Sequence, residues 1–244
     1  MEREDIKTSW LVNTYIAHRG LHNDIYPENS LSAFGNAIKN NYAIELDVHQ
    51  ISDGTVIVFH DNSTSRMTSS DKYVANLTKS DLEELRLLNT EEKIPTLEEV
   101  LNFVSGQVPI LIEIKNTLKA GDLEKAVYKL LKNYNGEYAV QSFNPYVLEW
   151  FKKNAPDVIR GQLSSFFKGE KMPCFRKYVL KRMKLNKLTK PDFISYNAED
   201  LPNRFCKKYK DTPILAWVVK SQSQYNKLLK NVDNIIFEDF TPTV

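Results

Sequence analysis

Two histidines, three carboxylates, an arginine and a lysine stand in four short clusters: His18-Arg19, Glu45-Leu46-Asp47, His60-Asp61 and Glu113-Ile114-Lys115. Each cluster lies at or near the end of a short apolar run. In extended chain, residues two apart share a face, so Glu45 can point the same way as Asp47, and Glu113 the same way as Lys115. Buried carboxylates that face one another repel unless protons or a cation intervene. A hard divalent ion, Mg2+ or Ca2+, held by Glu45, Asp47 and Glu113 resolves that conflict, because no thiolate cluster offers a softer site. The competing use of these acids is an ion-pair network with Arg19 and Lys115. Each acid taken singly favours that use; the set together with two histidines does not.

The planar fork of Arg19 and the compact charge of Lys115 suit phosphate oxygens. His18 and His60 are suited to remove a proton from an attacking oxygen and to deliver one to a leaving oxygen. His22 and His49 are weaker candidates, since neither is needed to complete the set. The collection points to cation-assisted cleavage of a phosphate ester.

Such groups are far apart in sequence and need a scaffold that gathers them. Eight apolar runs of strand length, near 14–17, 43–48, 109–114, 138–142, 158–163, 192–196, 213–219 and 234–238, alternate with amphipathic segments such as 30–40 and 96–104. That alternation predicts an α/β chain folded as a (β/α)8 TIM barrel, favoured over an open doubly wound sheet. In a closed barrel, loops at the carboxyl ends of the strands collect reactive groups into one cavity. The run at 55–59 breaks the alternation, because it follows its predecessor too closely for a parallel crossover. Asp53-Gly54 between them signals a hairpin, so an extra antiparallel strand is expected, with Asp47 about opposite His60. The polar stretch 61–93 reads as a small insertion over the mouth, with an ordinary solvated loop as the alternative.

The 244 residues, 42% hydrophobic, suffice for one full-sized core, so 1–244 is read as a single domain. No run of about 18 apolar residues occurs, and the first residues are acidic where a leader needs an apolar run; a cytoplasmic protein is expected. Cys174 and Cys206 show no metal spacing and read as reduced thiols. A net charge of +2 gives no ground for a nucleic-acid partner, and nothing in the chain signals an oligomeric state. Residues 168–190 are rich in Lys and Arg and follow Phe166-Phe167; read as a helix, Phe175, Val179, Met183 and Leu185 or Asn186 roughly trace one face. A solvated face is the commoner use of such a segment; weak contact with an anionic membrane surface through 166–190 is the other.

The ordered series His18-Arg-Gly, Pro27-Glu-Asn-Ser, Ile44-Glu-Leu-Asp-Val, Asp53-Gly-Thr-Val-Ile-Val-Phe-His-Asp, Ile94-Pro-Thr-Leu-Glu-Glu-Val-Leu and Ile112-Glu-Ile-Lys resembles the glycerophosphodiester phosphodiesterase family. The first half matches closely and the second half loosely, through Gln141-Ser-Phe, Trp217 and Val232-Asp-Asn-Ile-Ile. The resemblance implies a barrel and a divalent cation on Glu45, Asp47 and Glu113. It also implies acid–base catalysis by His18 and His60, phosphate contacts from Arg19 and Lys115, and a small-molecule glycerophosphodiester as substrate, cleaved to glycerol 3-phosphate and an alcohol. It further suggests attack by the substrate's own neighbouring hydroxyl through a cyclic phosphate, which the sequence does not separate from direct attack by water.

Departures lie away from this set: Trp217-Val-Val-Lys stands where relatives often carry Trp-Thr-Val-Asn, and Glu238-Asp239 where Thr-Asp is frequent. These changes bear on the alcohol-binding side more than on the cleavage. Trp217 could stack on a choline-type head group, though a core aromatic is the more frequent use. Lysophospholipase D activity on single-chain lipids is the alternative reaction, and a catalytically silent phosphodiester-binding barrel the alternative class.

Overall fold

The computed structural model describes residue 6, residues 9–116 and residues 119–243; most of the acidic N-terminal stretch, expected to lack a leader, lies outside the described residues. The chain divides into two compact units, one of residues 17–138 and one of 1–16 with 139–244. Chain order opens with α1 (Trp10–Asn13) and β1 (Ile16–Ala17). The strands follow the order β1, β9 (Asn234–Phe237), β8 (Ile214–Val219), β7 (Phe193–Asn197), β6 (Arg160–Ser164), β5 (Tyr138–Ser142), β4 (Ile110–Ile114), β2 (Ala43–Gln50), β3 (Val56–Val58), with β1 also paired to β2, the topology of a closed eight-stranded parallel barrel carrying one extra strand.

The unit 17–138 contains α2 (Leu31–Lys39), β2 (Ala43–Gln50), β3 (Val56–Val58), α3 (Lys79–Glu84), α4 (Leu97–Val104), β4 (Ile110–Ile114) and α5 (Asp122–Leu131). Seven successive residues of β2 are buried, as expected of a parallel strand covered on both faces, so its acids are enclosed by position rather than by folding back of a loop. β2 and β4 run parallel with Asp47 level with Glu113. Helix α2 begins where Ser30 caps the Ala33 amide at 3.2 Å, and α4 where Thr96 and Glu99 form a capping box.

β3 pairs antiparallel with β2, as the Asp53-Gly54 signal predicts, but one residue out of the expected register. Val48 faces Val58, and the Phe59 amide donates to the Asp47 carbonyl at 2.9 Å, so Phe59 rather than His60 is opposite Asp47. The cause is the turn. Ile51 and Thr55 close a three-residue loop, Ser52-Asp53-Gly54, with Gly54 at φ +90° and the Thr55 amide bound by the Asp53 carboxylate, in place of a two-residue turn.

The polar stretch after β3 is not an ordinary solvated loop. It carries a 3-10 turn (Val74–Asn76) and α3, and it buries Met67, Val74, Leu77, Leu82, Leu85 and Leu87 against Ile51, Ile57, Phe59 and Ile94.

The other unit contains β5 (Tyr138–Ser142), α6 (Pro145–Asn154), β6 (Arg160–Ser164), α7 (Cys174–Lys181), α8 (Asn186–Thr189), β7 (Phe193–Asn197), β8 (Ile214–Val219), α9 (Gln222–Leu228) and β9 (Asn234–Phe237). β6, β7, β8 and β9 are parallel neighbours. The basic segment departs from its expected single helical face. Helix α7 stops at Lys181, Met183 turns inward with φ +51° and is buried, and Phe175 is left outside.

Candidate active site

All of the clustered candidates except Trp217 belong to the unit 17–138. His18 and Arg19 follow β1 directly, Glu45 and Asp47 lie within β2, His60 follows β3, and Glu113 and Lys115 lie at the end of β4. The His18-Arg19-Gly20 turn is tight: Arg19 has φ +55° and Gly20 φ +78°, and the Gly20 amide donates to the Glu45 carbonyl at 3.2 Å. A Cβ at Gly20 would lie 2.9 Å from the Ala33 carbonyl carbon, so only glycine permits this approach of the turn to α2.

Glu45, Asp47 and Glu113 each offer a carboxylate oxygen within 4.8 Å of the others, and Glu45 and Asp47 are 2% and 1% exposed. Two cations are laid against them. Arg19 Nε is 3.3 Å from Asp47 Oδ2, and Lys115 Nζ is 3.4 Å from Asp47 Oδ1 and 3.0 Å from Glu113 Oε1. The Arg19 amide donates to Glu45 Oε2 at 3.1 Å, and Asn29 Nδ2 donates to Asp47 Oδ2 at 3.0 Å.

The three acids do not share this support evenly. Burial pushes the Glu45 carboxyl well above its usual range, and the charges of Asp47 and Glu113 push it further. Glu113 is also raised by burial, against the pull of Lys115. Burial acts on Asp47 in the same sense, but Lys115, His60, Arg19 and His18 together hold it well below the usual carboxylate range. Lys115 is held well above the ordinary lysine value, since Asp47 and Glu113 outweigh its desolvation. With all three acids ionised against Arg19 and Lys115, one negative charge is left over. An oxygen-only donor set with an unresolved carboxylate repulsion fits a hard divalent cation, which would offset that excess.

His60 is oriented through its own neighbour: its Nδ1 is 2.6 Å from Asp61 Oδ1. Arg66 donates from Nε to Asp61 Oδ2 at 2.6 Å and from Nη2 and Nη1 to the two oxygens of Glu28 at 2.7 and 2.8 Å. Glu28 in turn accepts from Arg19 Nη1 at 2.7 Å. An unbroken chain of hydrogen bonds, His60–Asp61–Arg66–Glu28–Arg19, therefore links an imidazole to a guanidinium aimed at the carboxylates. Burial lowers the His60 pKa, with Asp47 and Asp61 acting in the opposite sense and Lys115 and Arg19 in the same one. His49 is a strut, with Nε2 3.0 Å from the His60 carbonyl.

The roles of Glu28, Asn29, Asp61 and Arg66 were not read from the sequence. Glu28 and Asn29 stand inside the Pro27-Glu-Asn-Ser motif and Asp61 beside His60, which are usable signals; Arg66 has none. Trp217 belongs to the other unit, where its Nε1 donates to the Ser195 carbonyl at 3.0 Å and its ring meets Phe143 edge-on at 5.3 Å.

A profile of the glycerophosphoryl diester phosphodiesterase family matches residues 18–240. The chain belongs to this family. A glycerophosphodiester phosphodiesterase of Caldanaerobacter subterraneus subsp. tengcongensis is 36% identical over 165 residues, 61% of this chain and 65% of that protein. The Bacillus subtilis protein YhdW, which carries the same designation provisionally, is 30% identical over 248 residues, 92% of this chain and 95% of its own. The fold is that of solved family structures. A phosphodiesterase of Oleispira antarctica, solved with the product sn-glycerol-3-phosphate, superposes with a TM-score of 0.77 at 23% identity, covering 93% of this chain and 92% of that one. A glycerophosphodiester phosphodiesterase of Thermotoga maritima superposes at 0.73 with 26% identity, covering 92% and 93%. The predicted (β/α)8 barrel with an extra hairpin strand is thus the observed fold.

Proposed function

We propose that this chain hydrolyses glycerophosphodiesters to glycerol 3-phosphate and an alcohol, using His18 and His60 for proton transfer and a divalent cation on Glu45, Asp47 and Glu113. The observation that carries the reading is the convergence of three buried oxygen donors with Arg19 and Lys115 at one place in the unit 17–138. When bound there, the cation would offset charge on the phosphoryl oxygens and acidify the attacking oxygen.

The chain's own residues supply the rest. Arg19 and Lys115 sit on the carboxylates with donors to spare, so each can turn part of its hydrogen bonding toward a phosphate oxygen. One imidazole takes the proton of the attacking hydroxyl as the new P–O bond forms, and the other protonates the alcohol oxygen as the old P–O bond breaks; each transfer is typically worth about 10²- to 10⁴-fold. Asp61 fixes the Nδ1 side of His60, which leaves Nε2 for exchange with substrate. If the attacking hydroxyl is the glycerol's own, water then opens the cyclic phosphate with the two roles reversed.

The test is a substrate panel of glycerophosphocholine, glycerophosphoethanolamine and lysophosphatidylcholine, assayed with Mg2+, Ca2+ or Mn2+ and again with chelator. Release of glycerol 3-phosphate that depends on added cation is expected. Turnover confined to lysophosphatidylcholine would redirect the reading to a lysophospholipase D, and ligand binding without turnover under every cation would defeat it.

A further inference from the structure

Among the described residues no helix is long and apolar enough to cross a membrane, yet one surface of the second unit is built unlike the rest of the chain. Residues 168–190 hold nine Lys and Arg against Glu170 alone, whereas the whole chain has a net charge of only +2. The remainder is therefore acidic, and the positive charge is concentrated on α7, α8 and their flanks. Lys168 is spoken for by Asp200, and Arg182 stacks on the Tyr178 ring at 4.0 Å. Lys171, Arg176, Lys177, Lys184 and Lys187 form no ion pair with any described carboxylate.

Between Lys171 and Arg176 in the sequence lies an apolar tip. Helix α7 has no buried residue, and Phe175 in its first turn is 78% exposed, beside exposed Pro173 and Cys174. Tyr178, one helical turn on, shares its face; Lys184 donates to its hydroxyl at 3.2 Å and lies 4.4 Å above its ring. An exposed phenylalanine set in sequence among lysines and an arginine with long flexible stems offers a single apolar tip beside mobile positive charge. It matches the layered chemistry of a lipid surface, where the ring enters the acyl boundary and the ammonium groups remain at the level of anionic head groups.

We propose that α7 docks this protein onto anionic membrane surfaces, with Phe175 as the inserted side chain and Lys171, Arg176, Lys177 and Lys184 as its electrostatic ring. The loop from β6 to α7 leaves the carboxyl end of its strand. Docking there would hold the catalyst beside the membrane from which glycerophosphodiesters and single-chain phospholipids arise. The surface stands on its own charge and exposure and does not depend on the proposed reaction.

The experiment uses the full chain and vesicles of phosphatidylcholine with or without about 30% phosphatidylserine, at low and high salt, scored by co-sedimentation. Phe175→Trp reports insertion through a blue shift of its emission; an exposed position tolerates the exchange. Binding to anionic vesicles alone, lost at high salt, is expected. Each cation near such a surface contributes about a factor of five in partitioning, so the triple variant Lys171→Glu, Arg176→Glu, Lys177→Glu should bind at least about a hundredfold more weakly. Its hydrolysis of water-soluble glycerophosphocholine should equal that of the parent, which separates this test from that of the reaction. Equal pelleting with neutral vesicles, an unshifted Phe175→Trp emission, or undiminished binding by the triple variant would each overturn the proposal. Retention on soluble polyaspartate without vesicle insertion would mark an acidic-protein surface instead, and would overturn it as well.

Discussion

Replacing Glu45 by Gln removes one ionisable group from the buried carboxylate cluster while keeping its shape and its acceptor for the Arg19 amide. A carboxyl whose folded pKa lies above its unfolded value binds more protons in the folded state between the two values. Its contribution to stability is full below the unfolded value, near 4.5, and is lost as pH rises through the folded one. Each such group can steepen the loss by up to about 1.4 kcal/mol per pH unit. Glu45 and Glu113 both move in this direction, whereas Asp47, held low by Lys115 and its neighbours, is ionised in both states across that window.

Cation-free protein should therefore lose stability as pH rises above about 4.5, up to about 2.7 kcal/mol per unit where both groups titrate, and Glu45→Gln should about halve the slope. A cation at a hundred times its Kd would restore about 2.7 kcal/mol to the parent, or about 5–11 °C in Tm for a chain of this length. The assay is urea and thermal unfolding at stepped pH with chelator, repeated with Mg2+ or Ca2+. A Glu45→Gln protein that keeps both the parental pH slope and the parental cation shift would refute the assignment of Glu45 to the ion and the repulsion argument behind it.

The two histidines are the plainest kinetic test: His18→Ala and His60→Ala should each lower kcat by about 10²- to 10⁴-fold with unfolding curves close to the parent, and near-normal turnover would remove the role. Arg66 reaches the site only through Asp61 and Glu28, so Arg66→Ala should depress kcat more than it raises KM, and Arg66→Lys should recover part of the loss; an unchanged kcat for the alanine variant would show the chain to be idle. Asp61→Asn should weaken the hold on the His60 tautomer and shift the acid limb of the pH–rate profile, read from kcat against pH. Gly20→Ala forces a methyl group against the Ala33 backbone at φ +78° and should cost about 1–3 kcal/mol, visible as a lower Tm.

Much of the site was legible because its donors ride on strands. Glu45 and Asp47 sit two apart inside a run that reads as a strand, and Glu113 and Lys115 repeat the pattern, so facing direction followed from the period of two. The hairpin was legible from Asp53-Gly54, but its register was not, because a three-residue and a two-residue loop share that dipeptide and differ by one residue of pairing. Arg66 was invisible for a different reason. It reaches Glu28 across 38 residues of sequence from within a stretch whose apolar residues follow no period, and the packing of Met67, Leu77 and Leu87 into one cluster fixes where that stretch runs. In the basic segment the helical period was correctly seen and wrongly extended, since the left-handed turn at Met183 needs no glycine to announce it.

Asp47 and Glu113 occupy level positions on hydrogen-bonded neighbours, and the distance between their backbones is therefore the strand spacing of a sheet, about 4.8 Å, which no substitution alters. Exchanging Asp47 for Glu would add one methylene to that fixed gauge, and for the cation proposed above the expected outcome is a changed order of preference among Mg2+, Ca2+ and Mn2+, read by titrating each ion against the variant.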